Sequence, residues 1–249
     1  MDAEADDLAR ARAAELLSSP ERLAELRKDA RLTAALGVAF SVLFVAGLLL
    51  LYTAPGAGAP VEELRAFYDG GDARKVVIGA VYVLPFAAVA FLWFIASLRS
   101  WLRFRASRLA GVFSTVQLLA GAAFIALVLG GAGAMAVGPL ARDLDAVQFD
   151  LDTIRHFTVL ARVLIMIFAM RMAAMVVMTT ATIGAEAGLF PGWFRGLSIA
   201  VAAALFLAAT LNVWLVALFP AWVLTLCALI VAGAREGQLS GAAEEDLAL

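Results

Sequence analysis

Residues 154–183 read IRHFTVLARVLIMIFAMRMAAMVVMTTATI, and this stretch decides the class of fold. From Phe157 onward it is apolar apart from two arginines and four threonines. It is longer than the roughly 20 residues that carry a helix across the hydrocarbon core of a bilayer. Five of the chain's seven methionines fall in it: Met166, Met170, Met172, Met175 and Met178. Arg162 stands near one end, where its side chain can reach the headgroups. Arg171 stands in the middle, at a depth where an arginine costs about 2.5–3.5 kcal/mol on insertion scales. It is therefore expected to face other helices, water or a ligand. At about 100° per residue, the nine steps between the two arginines put them on opposite faces. Arg171 shares its face with Ile167, Met175 and Met178.

The rest of the chain repeats the pattern. Hydrophobic residues make up 63% of its 249 positions, against about half in a soluble domain, and mean hydropathy is +0.92. The excess lies in long uninterrupted blocks. Residues 32–53 form a first span, with Gly37, Ala46 and Gly47 as small residues that admit a neighbouring helix. It ends at the turn-forming run from Ala54 to Pro60. Val61, Leu64, Phe67 and Tyr68 then follow helical spacing in a short amphipathic segment suited to the membrane surface, closed by a turn at 69–72. The second span covers 76–98. Pro85 is expected to kink it, and Phe91, Trp93, Phe94 and Trp101 are expected to form an interfacial belt. The third covers 109–137 and ends at Gly138-Pro139. The fourth is 154–183, closed by Glu186 and the run from Pro191 to Arg195. Residues 196–234 hold 39 positions with no charge, enough for two short spans with a reversal at Asn212 or at Phe219-Pro220.

The spacing thus predicts an all-α, polytopic transmembrane helical bundle of six spans. Its layout is a polar helical segment at 1–31, a transmembrane domain at 32–234 and an acidic disordered tail at 235–249. Ser18-Ser19-Pro20-Glu21 has the form of a helix start, with a serine cap and proline in the first turn. The acidic N-terminus and the late first block do not fit a cleavable signal peptide. Ten basic residues flank one side of the spans and five the other, the five accompanied by eight acids in two loops. By the positive-inside rule both termini are expected in the cytoplasm, which places the chain in the cytoplasmic membrane.

Several chemistries are disfavoured by the residues available. Net charge is −2, so no basic field invites nucleic acid. Cys227 is the only cysteine, which excludes an internal disulfide. His156 is the only histidine, so bis-histidine haem is not expected. Asp150, Asp152 and His156 form at most a weak cation or proton site, and a solvated loop is the plainer reading. No Gly-x-Ser-x-Gly, His-Glu-x-x-His or P-loop occurs, and no lysine lies inside a span. Asp69-Gly70-Gly71-Asp72-Ala73-Arg74 matches the opening of the CDP-alcohol phosphotransferase signature. That family places further aspartates on the following helix; here none follows, and the fragment reads as a turn. No cofactor, bound metal or enzymatic activity is expected.

The layout resembles a group of uncharacterised bacterial six-pass membrane proteins. The features that carry the resemblance are Phe67-Tyr68-Asp69 before the second span, Phe91-Leu92-Trp93-Phe94 at its end, and Phe190-Pro191-Gly192-Trp193 after the fourth. The resemblance implies fold and topology from Leu32 onward, and no activity. The expected role is a non-enzymatic accessory, scaffold or regulatory membrane subunit, in contact with the bilayer and with a membrane-protein partner or a second copy of itself. The alternative is a small transporter or lipid- or anion-binding protein with an intramembrane cavity at Arg171, Met175, Met178, Gln117 and Asn212. No acid lies within any span, so Arg171 has no ion-pair partner there. Gln117, Asn212 and backbone carbonyls are its candidate partners within the bundle.

Overall fold

The computed structural model describes residues 20–103, 108–143, 150–207 and 213–235. Asn212, the chain before Pro20 and the tail beyond Arg235 lie outside them. All regular structure among the described residues is helical. Helix α1 (Pro20–Leu51) runs unbroken from the polar segment into the first span, and α2 (Val61–Asp69) is the short amphipathic helix. Helix α3 (73–103) combines Ala73–Val77, a π-helical turn at Ile78–Val83 and Leu84–Arg103. Helix α4 is Arg108–Asp143. Helix α5 (Leu151–Glu186) contains a second π-helical turn at Leu164–Ala169. Helices α6 (Gly192–Leu207) and α7 (Val213–Arg235) complete the set.

Five of these (α1, α3, α4, α5 and α7) are long and apolar enough to cross a membrane. Helix α6 is equally apolar but has only 16 residues, short of the length a bilayer asks of a helix. The five long helices support a membrane-embedded protein.

Three sequence expectations about breaks are corrected. Pro139 does not end the third span, because α4 continues through it to Asp143. Phe219-Pro220 is not the reversal, because Pro220 sits inside α7. The other candidate for the reversal, Asn212, lies outside the described residues. Proline in these helices removes one backbone bond but does not stop the helix, since neighbouring helices support it. The third correction concerns Phe91 and Phe94, which are fully buried and do not belong to an interfacial belt. Trp93, between them, is 63% exposed. Three residues nearly complete a helical turn, so the two phenylalanines share the inward stripe while Trp93 points out.

Close helix approach follows the small residues. A Cβ on Gly37 would overlap the Cys227 sulfur and lie 2.9 Å from the Phe94 ring. One on Gly47 would lie 2.7 Å from Leu84, and one on Gly131 2.6 Å from Ile165. Helix α1 therefore meets α3 and α7, and α4 meets α5, at backbone distance. These contacts also fix direction. Gly37 meets Phe94 while Gly47 meets Leu84, so α3 runs antiparallel to α1. Gly37 meets Cys227 and Ser41 Oγ lies 3.4 Å from the Pro220 carbonyl, so α7 is antiparallel to α1 as well. Gly121 meets Phe91 and Ile95, while Arg99 donates to Ser114, which makes α4 antiparallel to α3. Gly131 meets Ile165 and Gly138 meets Ile154, which makes α5 antiparallel to α4.

The centre is closed by aromatic rings. Phe40, Phe44, Phe91, Phe124 and Phe219 are fully buried, from four different helices. Phe124 lies 5.1 Å from Phe91 and 5.0 Å from Phe219, centroid to centroid. Beside this cluster, Trp222 stacks on Phe219 and its Nε1 donates to Ser198 Oγ at 2.9 Å, joining α7 to α6. Ser198→Ala would leave that indole N–H without an acceptor in an apolar surround. The expected loss is about 1–3 kcal/mol, read as a lower thermal midpoint in detergent, with Ser198→Thr restoring most of it.

Helix α5 stops at a defined cap. Gly188 has φ +63°, Leu189 N–H bonds the Gly184 carbonyl and Gly188 N–H the Ala185 carbonyl. This is the paired bonding of a left-handed glycine cap. Phe190 folds back onto Gly184, where any side chain would collide with its ring.

Candidate functional site

Arg171 lies one residue into the α-helical second half of α5. The π turn at Leu164–Ala169 holds about one residue more than an α turn. Counting at a constant angle therefore fails across it, and Arg162 and Arg171 stand about a quarter turn apart rather than on opposite faces. Between Met170 and Gly184, nearly every side chain is buried except those at 171, 172, 175, 178 and 182. Positions 171, 175, 178 and 182 follow i, i+4, i+7 spacing and form one outward stripe. Met175 is half-buried against the core, and Met178 is 53% exposed. Arg171 is half-buried. Neither the hydrogen bonds nor the ion pairs among the described residues include it.

Gln117 is not its partner. Gln117 is fully buried and donates through Nε2 to Thr180 Oγ1 at 2.6 Å. Thr180 in turn donates to the Val176 carbonyl. This bond joins α4 to α5 nine residues along from Arg171 and leaves Gln117 Oε1 unpartnered. It is a helix-to-helix bond of the kind that polar residues make in apolar surroundings. Asn212, the other sequence candidate, lies outside the described residues.

The acidic start of α5 is occupied by its own cap. Asp150 Oδ1 accepts from Thr153 N–H at 2.9 Å, the N-cap arrangement. His156 Nδ1 lies 2.7 Å from the Asp152 carbonyl, and the Asp152 carboxylate pairs with Arg155 at 3.4 Å. Among the described residues, no three of His, Cys, Asp and Glu group as metal ligands would. The side-chain and backbone hydrogen bonds from Thr153 hold the Asp150 carboxyl below the usual carboxylate range. A depressed folded value means that the cap is complete above the ordinary carboxylate pKa and is lost as pH falls through the folded value. The protection of the Thr153 amide, its exchange relative to the intrinsic rate at the same pH, is accordingly expected to fall on acidification, and Asp150→Asn to flatten that dependence.

A second set of cations was only half visible in the sequence. Arg155 and Arg162 are two helical turns apart and share a face. Arg155 Nη2 donates to the Ala59 carbonyl at 2.8 Å. The Arg162 guanidinium sits 5.8 Å from the centre of the Tyr52 ring, and its Nη1 lies 3.7 Å from where a Cβ on Gly56 would stand. The loop after α1 thus wraps over this face of α5. Seven-residue spacing could have paired the arginines, but nothing local predicts which loop covers them.

No family model, no curated protein and no solved structure matches the chain.

Proposed function

We propose that this chain is a non-enzymatic accessory, scaffold or regulatory subunit of a membrane assembly, docking on a different polypeptide through the outward stripe of α5. The observation that carries the reading is Arg171, deep in the apolar helix α5 and without a hydrogen-bond or ion-pair partner among the described residues. Depth follows from register. Arg162 lies at the level of Tyr52, where α1 has just ended, and Arg171 stands nine residues further in, roughly 12 Å along the axis with the extra residue of the π turn discounted. An arginine at that depth must find an acceptor. A second copy of this chain brings no acid at mid-depth, since Asp29, Asp152 and Glu186 stand at the ends of their apolar stretches. The complementary surface is therefore a transmembrane helix of another protein with a carboxylate at mid-depth, flanked by apolar side chains that pack against Met175 and Met178.

The closed aromatic centre supports the same reading against a transporter, since five phenylalanines stand where a polar path would run. The antiparallel order of α1, α3, α4 and α5 supports six crossings. Helix α5 ends on the side where α1 begins, and α7 begins on the side where α1 ends. Helix α6 would then cross as well. The basic flanks support a reading with both termini in the cytoplasm, and the cytoplasmic membrane of a bacterium is the setting that the resemblance implies.

The test is co-purification of the full chain from its own membranes in a detergent-free lipid polymer. A stoichiometric second polypeptide is expected with the wild type and with Arg195→Gln, and is expected to be lost with Arg171→Met. A wild-type chain that purifies alone, or a partner retained by Arg171→Met, would count against the proposal.

A further inference from the structure

We infer that the face of α5 covered by the loop after α1 is a binding site for a phosphate-type oxyanion, built from Arg162, Tyr52 and Arg155. The reasoning starts from unmet donors. Four buried side-chain polar atoms among the described residues have no hydrogen-bond partner: Tyr52 Oη, Arg155 Nε, Arg162 Nε and Gln117 Oε1. Three of the four belong to this one cluster, and all three can donate. Buried polar atoms are nearly always bonded, so an orphan group of one polarity in one place calls for an acceptor from outside the chain.

The charge has the same sense. Arg155 is partly satisfied, by the Ala59 carbonyl at 2.8 Å and by Asp152 at 3.4 Å. Arg162 has no carboxylate beside it among the described residues. Its one contact of note is the face of Tyr52, which fixes the plane of the guanidinium but leaves its hydrogens unspent. A planar fork held over an aromatic ring, near an unpartnered phenolic O–H and two turns from a second guanidinium on the same helix face, offers the donors that the oxygens of a phosphate or phosphodiester accept. Gly56 lets the loop pass within reach of Arg162. The site lies where α1 ends and the loop begins, the depth of a headgroup. The oxyanion has two sources there: a phospholipid phosphodiester, or a phosphate-bearing solute from the adjoining water.

Gly56 supplies the decisive variant. A Cβ there would be 3.7 Å from Arg162 Nη1, in ordinary contact with nothing else nearby, and the backbone there is not left-handed. Gly56→Asp therefore sets a carboxylate beside the guanidinium and occupies the site from within. The experiment takes the full chain in uncharged detergent and follows its thermal midpoint. One arm titrates inorganic phosphate through the millimolar range; the other adds phosphatidylglycerol, with phosphatidylcholine as comparison. The wild type and Arg195→Gln, an exposed arginine at the far end of α5's partner helix α6, should rise in at least one arm. Arg162→Gln should bind about tenfold more weakly or worse, Tyr52→Phe a few-fold more weakly, and Gly56→Asp should not respond. A response to inorganic phosphate alone assigns a solute; a response to phosphatidylglycerol alone assigns a headgroup. If Arg162→Gln fails to fold, Gly56→Asp and Tyr52→Phe still decide the matter. The inference is overturned if the wild type responds in neither arm, or if Gly56→Asp responds as the wild type does.

Discussion

Arg171→Met is expected to stabilise the isolated chain while removing its partner. Placing an arginine at the centre of a transmembrane helix costs about 2.5–3.5 kcal/mol on insertion scales, and methionine removes that cost. Met175 and Met178 already line the same stripe, so the new side chain meets apolar neighbours of its own kind. Nothing bonded among the described residues is lost. The midpoint of the solitary chain in detergent should therefore rise, by several degrees for a domain of this size. In native membranes the same variant should lose the second polypeptide, because the charge that the partner's acid meets is gone. Opposite signs for stability and association set this residue apart from an arginine that bridges helices within the bundle. For such a bridge, Arg171→Met would lower both yield and midpoint.

The second large effect is expected at Phe124. It touches the rings of Phe40, Phe44, Phe91 and Phe219 and is fully buried. In water-soluble proteins Phe→Ala costs about 3–5 kcal/mol, the sum of a transfer term and a cavity term. Inside a bilayer the transfer term is small, since acyl chains are as apolar as the core. The contacts forfeited around the cavity remain, so Phe124→Ala should cost roughly 2–3 kcal/mol. Equilibrium unfolding in mixed micelles measures it. The same variant tests whether the centre is dry. With Cys227→Ser as background, a cysteine introduced at Phe124 should resist a membrane-impermeant thiol reagent from either side. Ready labelling would point to a water path through the bundle.

The sequence reveals the membrane class and most of the helices because length and hydropathy are set by the bilayer. The run from Phe157 to Ile183 is long and apolar enough to cross a bilayer, and α5 contains it whole. The amphipathic α2 is equally legible, with Leu64 and Phe67 buried and Glu62 and Glu63 exposed. What does not show is which face of a span points inward. Outside a membrane, polar residues mark the solvent side of a helix; here Trp93 and Phe94 are both apolar, yet one is exposed and the other buried. The π turns are illegible for a related reason. Nothing in Leu-Ile-Met-Ile-Phe-Ala announces an extra residue in the turn, yet it moves Arg171 round the helix relative to Arg162. Pro139 and Pro220 misled because proline breaks exposed helices more readily than packed ones. Of the candidate site, Arg171 was legible as a costly charge and Gln117 as a polar residue in a span. That Gln117 bonds Thr180, and that Arg162 lies over Tyr52, depends on helix register and could not be read from spacing.

The central claim is that the stripe of α5 carrying Arg171 is covered by another protein. A photo-crosslinking amino acid in place of Met178, activated in native membranes, examines it at the point of contact. The predicted result is one discrete adduct with a different polypeptide, absent when Arg171→Met is added. Adducts with lipid alone, or with a second copy of this chain, would contradict it.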